Sequence, residues 1–163
     1  MSSMDVDYQS LNQQLAALVA GEKDALANSA NFVGLLYAGI SDINWLGIYV
    51  YRDGELVLGP YQGMPACVRI SLGQGVCGTA AKKMETLRVD DVHEFAGHIV
   101  CDPQSKSEVV VPLSLHGKLI GVLDIDSPRR SRFSEADQLG VELLCNTFLR
   151  KLQEDLQYPG EFI

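Results

Sequence analysis

No run in this 163-residue chain is apolar over the ~18 residues that a membrane-crossing helix needs. Positive charge is scarce as well. Thirteen Lys and Arg face 21 Asp and Glu, for a net charge of −8. A surface of that sign repels nucleic-acid backbones and anionic lipid headgroups, so neither nucleic acid nor membrane is an expected partner. The opening MSSMDVDYQS has no basic stretch and no apolar core. No signal peptide is expected there, and the cytoplasm is the expected compartment. Cysteine is sparse: Cys67, Cys77, Cys101 and Cys145 form no CxxC pair, and the three histidines (His93, His98, His116) are scattered. No metal site is expected from such spacing. In a reducing compartment the thiols should rest reduced rather than staple the fold.

What is present suffices for one globular domain over 1–163: hydrophobic residues are 47% of the chain and charged ones 21%. Tyr8, Leu11, Leu15 and Leu18 recur at helical spacing and predict a first helix over 8–20, closed by Gly21 and packed on the core. Leu26, Ala30, Val33, Tyr37 and Ile40 predict a second, ending at Gly39 or Ser41. From Asn44 the period becomes two, with Trp45, Gly47, Tyr49 and Tyr51 on one face and Leu46, Ile48 and Val50 on the other. Asp53-Gly54 is a hairpin signal, with a returning strand over 55–60. A third strand is predicted over 66–70, a helix over 76–84 opened by Gly73-Gln74-Gly75, and a short strand over 86–89. Residues 90–106 show no period; an unpatterned stretch that long is usually functional or disordered. Two strands, 107–115 and 118–127, flank His116-Gly117. Ser134, with Asp137 three residues on, starts a last helix running to about 157. The order α, α, β, β, β, α, β, loop, β, β, α lacks βαβ alternation. It predicts an α+β fold, a central antiparallel sheet flanked by helices.

Four groups of residues carry possible chemistry. Cys145 lies on the apolar stripe of the last helix, with Val141 and Phe148, and reads as core. Cys77 follows Gly75 in the first turn of a helix. The helix dipole there favours a thiolate, although packing beside Val76 and Ala80 is an equally good reading. Cys67, after Gly63-Met64-Pro65, and Cys101, in the unpatterned stretch, are placed to be accessible and to move. The acids Asp124 and Asp126 are two apart on one strand and so share a face.

The side on which Glu108 lies depends on the turn. A three-residue loop, Leu115-His116-Gly117, pairs Ser114 with Lys118 and sets Glu108 opposite Asp124, on the same face. A two-residue turn sets it opposite Ile125, on the other. We expect the first, with Pro112 able to bulge the strand. Three clustered carboxylates need a cation or keep a proton near neutral pH. Trp45 and Tyr49 are either core or a pocket wall, with Gly47 leaving room above.

Taken together, NWLGIYVYRDGELVLGPYQG (44–63), ACVRI (66–70), GQGVCGTA (73–80), VCDPQSKSEVVVPL (100–113) and GVLDIDSP (121–128) resemble a GAF domain over about 31–152. More narrowly, with three cysteines in this setting, the chain resembles the free methionine-R-sulfoxide reductases. The resemblance implies thiol-dependent reduction of free methionine-R-sulfoxide, not of methionine within proteins. It implies Cys101 as the attacking thiol, Cys67 as the main resolving thiol and Cys77 as a partner in disulfide exchange. It places Trp45, Tyr49, Glu108, Asp124 and Asp126 in the substrate pocket. It also implies thioredoxin as electron donor with no bound cofactor, and a homodimer.

The chemistry is consistent with those roles. A clustered carboxyl can protonate the departing oxygen. The amides near Gly75, Val76 and Cys77 suit the substrate carboxylate. The competing reading is a GAF module that binds a small molecule without turnover. Only YPGEFI follows Gln157, so no output domain is expected.

Overall fold

The computed structural model describes residues 5–163, so the first four residues of the stretch read above for a leader lie outside it. Four helices and six strands follow in the order α1 (Tyr8–Val19), α2 (Ala25–Gly39), β1 (Trp45–Arg52), β2 (Glu55–Gln62), β3 (Arg69–Ser71), α3 (Gly75–Lys83), β4 (Leu87–Val89), β5 (Ser107–Leu115), β6 (Lys118–Ser127) and α4 (Glu135–Asp155). All six strands join one antiparallel sheet in the order β3-β2-β1-β6-β5-β4. This is the expected α+β architecture. Among the described residues, no helix is long and apolar enough to cross a membrane.

Local chemistry sets the helix ends. The Asp7 carboxylate accepts from the Ser10 amide (2.9 Å) and the Asp24 carboxylate from the Ala27 amide (2.8 Å), so each caps a helix start. Ser134 and Asp137 form a full capping box at α4. α2 and α4 cover one face of the sheet, and α1 packs against both of them, adding to the same core. There Phe32 and Phe148 stack with ring centroids 4.4 Å apart, and Leu15, Leu36, Leu144 and Cys145 are buried with them. α1 packs on α4, where the Tyr8 ring lies flat on Gly140 and its hydroxyl donates to Asp137 (2.8 Å). The opposite face carries α3 alone, with Trp45, Tyr49, Cys77, Val110 and Val122. A single short helix leaves part of that face uncovered, and the cavity lies there.

Two expectations are corrected. The β5–β6 turn is not the three-residue loop: Leu115 pairs with Lys118 across a two-residue His116-Gly117 turn. Both turn residues have positive φ (51° and 74°), as a tight hairpin of this twist requires. Ser114 pairs with Leu119 but Leu113 with Gly121, so Ile120 is an extra residue, a bulge. The bulge moves the register by one, and Glu108 faces Asp126 rather than Asp124 or Ile125. Glu108 keeps the expected face by this different route. The third strand is Arg69–Ser71, not 66–70, because Ala66 and Cys67 leave the ladder for the cavity rim.

Candidate active site

The cavity is walled by β1 and β6, by the start of α3 and by the segments that bear Cys67 and Cys101. Its floor is acidic. In one row across the sheet, Trp45 of β1 pairs with Asp126 of β6, which pairs with Glu108 of β5. One step along, Asp124 lies beside Gly47 and Val110. Glu108 and Asp124 are buried and Asp126 is half-buried.

Burial raises all three carboxyls. Glu108 is pushed well above the carboxylate range, with the Asp124 and Asp126 charges adding to the effect. Asp126 is pushed up by burial and then by the Asp124 and Asp102 charges. Asp124 rises to about 6, limited by hydrogen bonds from Glu108 and Cys77. Asp124 Oδ1 is buried without a hydrogen-bond partner. The floor therefore holds both a proton and a negative charge near pH 7.

The thiols occupy two levels. Cys77 sits at the floor, buried, its Sγ 3.7 Å from Glu108 Oε1. The helix dipole does not prevail there: burial and the surrounding acids hold the thiol well above its usual value. Cys67 and Cys101 are at the rim, joined by a disulfide with Cα atoms 5.5 Å apart. This is the oxidised form of the redox pair that the resemblance implies, whereas Cys77 and Cys145 are free and buried. Cys101 and Asp124 line the same cavity, on one side of the sheet.

Aromatic residues order the wall. The Trp45 indole lies between Tyr49 and Tyr61, with ring centroids 5.8 and 5.3 Å away. A Cβ on Gly47 would strike that indole, so the room above Gly47 is filled by Trp45 itself. The indole N–H donates to the Met64 carbonyl (3.1 Å) and the Tyr49 hydroxyl to the Cys67 carbonyl (2.8 Å). Both bonds tie the Cys67 segment to β1. Gly75 (φ +62°) and Val76 line the cavity at the start of α3, whose N-cap Gln74 makes no side-chain cap. First-turn amides of a helix have no intrahelical partner and suit an anion.

Tyr51, expected on the aromatic face, lies beyond the cavity. Asn44, Asp102, Ser105, His98 and Ile99 are additions that the sequence reading did not single out. Asp102, Ser105, His98 and Ile99 line the cavity, and the Asn44 side-chain amide donates to Asp102 (3.0 Å) and Ser105 (3.2 Å), holding the Cys101 segment. The unpatterned stretch 90–106 hinted at these four lining residues, and nothing in the sequence pattern hinted at Asn44.

Cys77, Glu108 and Asp124 each offer a ligand atom within 4.8 Å of the others, a donor set able to hold a divalent cation. Three different elements supply it, which is why no spacing motif announced it.

The GAF domain family matches residues 23–150. The free methionine-R-sulfoxide reductase of Escherichia coli is 51% identical over 137 residues, covering 84% of this chain and 83% of that one. The chain belongs to the free methionine-R-sulfoxide reductase family of GAF-domain proteins. Solved structures agree with the assignment. The fRMsr of Staphylococcus aureus in its reduced form superposes with a TM-score of 0.89 at 44% identity, covering 91% of this chain and 97% of that one. The free methionine-R-sulfoxide reductase from Neisseria meningitidis in complex with its substrate gives a TM-score of 0.87 at 39% identity, over 91% and 89% of the two chains.

Proposed function

We propose that the protein reduces free methionine-R-sulfoxide to methionine, using Cys101 and Cys67 as its two-electron source. The observation that carries this reading is the Cys67–Cys101 disulfide at the rim of a cavity floored by Glu108, Asp124 and Asp126. In the reduced protein the Cys101 thiolate attacks the sulfoxide sulfur. A floor carboxyl, with Glu108 the best placed to hold the proton, protonates the oxygen. The oxygen passes to Cys101 as a sulfenic acid and methionine leaves. The Cys67 thiol displaces water from the sulfenic acid, and the disulfide forms. An external dithiol returns both thiols by exchange. The balance is one sulfoxide and two thiols to one thioether, one disulfide and one water. Cys77 is a further partner in disulfide exchange only after its buried, protonated thiol gives up its proton, for which the hydrogen-bonded Asp124 carboxylate is the acceptor.

Substrate selectivity follows from pairing. Asp124 and Asp126 take the ammonium, the amides at Gly75 and Val76 take the carboxylate, and Trp45 with Tyr49 bounds the methyl end. A methionine within a peptide has neither terminal charge and would strand these buried groups. Thioredoxin is the proposed donor and the cytoplasm the compartment, with a homodimer as the expected form.

The test supplies reduced protein, a dithiol and racemic free methionine sulfoxide, and follows both epimers by chiral chromatography. Only the R epimer should fall, over many turnovers. Cys101→Ser should abolish turnover, whereas pre-reduced Cys67→Ser, freed of dithiol, should consume one equivalent and stall as a trappable sulfenic acid. Stoichiometric loss in the wild type, or full turnover in Cys101→Ser, would refute the reading.

A further inference from the structure

Among the described residues, large apolar side chains at the surface are few, and three of them cluster in sequence around one bond. Met64, Val68 and Val100 are 66%, 61% and 61% exposed. Val68 and Val100 are the immediate neighbours of Cys67 and Cys101, and Met64 is three residues from Cys67. Consecutive Cα atoms are about 3.8 Å apart, so the two valines flank the disulfide directly. The charge pattern is equally local. On a chain of net charge −8, residues 61–68 (YQGMPACV) and 96–101 (AGHIVC) contain no Asp, Glu, Lys or Arg. The disulfide is thus framed by an apolar collar of two uncharged runs, bordered by Arg69 and Asp102, on an otherwise acidic molecule.

Such a collar has no task in binding a small zwitterion. The side chains of Met64, Val68 and Val100 do not line the cavity. Disulfide exchange, however, needs a partner sulfur brought into line with one of the two rim sulfurs, and an acidic surface would repel an acidic partner from that approach. We infer that Met64, Val68 and Val100 form the docking surface for a dithiol protein whose reactive cysteine lies in a similarly apolar, uncharged patch. The inference rests on the proposed redox cycle. A partner thiolate attacks one rim sulfur and forms a mixed disulfide, releasing the other Cys as a thiolate that takes up a proton. The partner's second thiol then cleaves the mixed disulfide. Two electrons pass to the enzyme, which regains two thiols, and the partner leaves oxidised.

The experiment compares the wild type with the triple variant Met64→Ser, Val68→Ser, Val100→Ser, using either dithiothreitol or a CxxC protein of the thioredoxin type as reductant. Leu18→Ser with Leu139→Ser, exposed apolar positions on α1 and α4, is the control. With dithiothreitol all three proteins should turn over within about twofold of one another, which also shows that the triple variant folds. With the protein dithiol, the triple variant should show a KM at least about tenfold higher, as loss of an apolar hot spot produces, and the control should match the wild type. An unchanged KM, or an equal rise in the control, overturns the docking surface while leaving the activity intact. Failure of the wild type even with dithiothreitol overturns the activity reading and this inference with it. A dimeric wild type with a monomeric triple variant in sedimentation would reassign the collar to contact between two copies of this chain.

Discussion

Glu108 on β5 stands directly opposite Asp126 on β6, and the same row continues to Trp45 on β1. Like charges in directly opposed strand positions destabilise a sheet. Burial makes full ionisation of the row costlier still, so a proton is retained where the sulfoxide oxygen must be protonated. The Ile120 bulge creates this alignment from about six residues away along β6.

Glu108→Gln keeps the shape of that row and removes the transferable proton. We expect kcat to fall by about 10²-fold or more, the range of general-acid contributions, with KM little changed. Steady-state loss of the R epimer measures it. A fall of less than about threefold would assign the proton to another carboxyl.

Asp124 links the site to stability. Its carboxyl, raised by burial to about 6 from 3.8, makes the folded state bind more protons than the unfolded state between those pH values. Stability from this group is therefore lost as pH rises through that window. Asp137 behaves oppositely: burial raises it, but bonds from Ser134 and Tyr8 and the Arg132 charge outweigh burial and lower it. That contribution is common to the wild type and Asp124→Asn and cancels between them. The difference in thermal midpoint, variant minus wild type, should grow from pH 4 to pH 6, and parallel midpoint curves would contradict the assignment. The same variant should raise KM for free methionine sulfoxide by about 10-fold or more, the loss expected for one charged hydrogen bond.

Cys77 is buried among acids that keep it protonated. Iodoacetamide at neutral pH should alkylate two cysteines in the reduced, folded protein, Cys67 and Cys101, and all four in denaturant. Peptide mass mapping reads this directly. Rapid labelling of Cys77 in the folded protein would mean that its thiol is exposed and ionised.

Asn44 holds the Cys101 segment through Asp102 and Ser105. Asn44→Ala should lower kcat by about tenfold, the equivalent of one or two net hydrogen bonds, while the apolar core stays intact. Turnover and thermal midpoint together check this. A large drop in midpoint with unchanged kcat per folded molecule would make Asn44 a fold residue only.

Much of this was legible where the determinants are local. The period of two through Trp45–Tyr51 and Asp124–Asp126, the Asp53-Gly54 turn and the Ser134/Asp137 box each act within a few residues. Glu108 was not legible in the same way, because its partner depends on a bulge at Ile120 that no composition signals. Local reasoning left Cys77 evenly balanced between a thiolate and a packed thiol: the helix start favours the thiolate, but Glu108 and Asp124 arrive from strands about 30 and about 50 residues on and decide for the buried, protonated thiol. Asn44 and His98 escaped notice because only the folded chain brings residues near 44, 98 and 124 to one cavity.

Cys67 and Cys101 are 34 residues apart, and the ring they close contains β3, α3 and β4. Cross-linking a ring of that size restricts the unfolded chain by on the order of 4 kcal/mol. The spent enzyme is therefore sturdier than the enzyme ready to work. Heat and proteases will remove charged-up molecules before exhausted ones, and when reductant runs short the surviving population drifts toward a durable reserve that a single exchange returns to service.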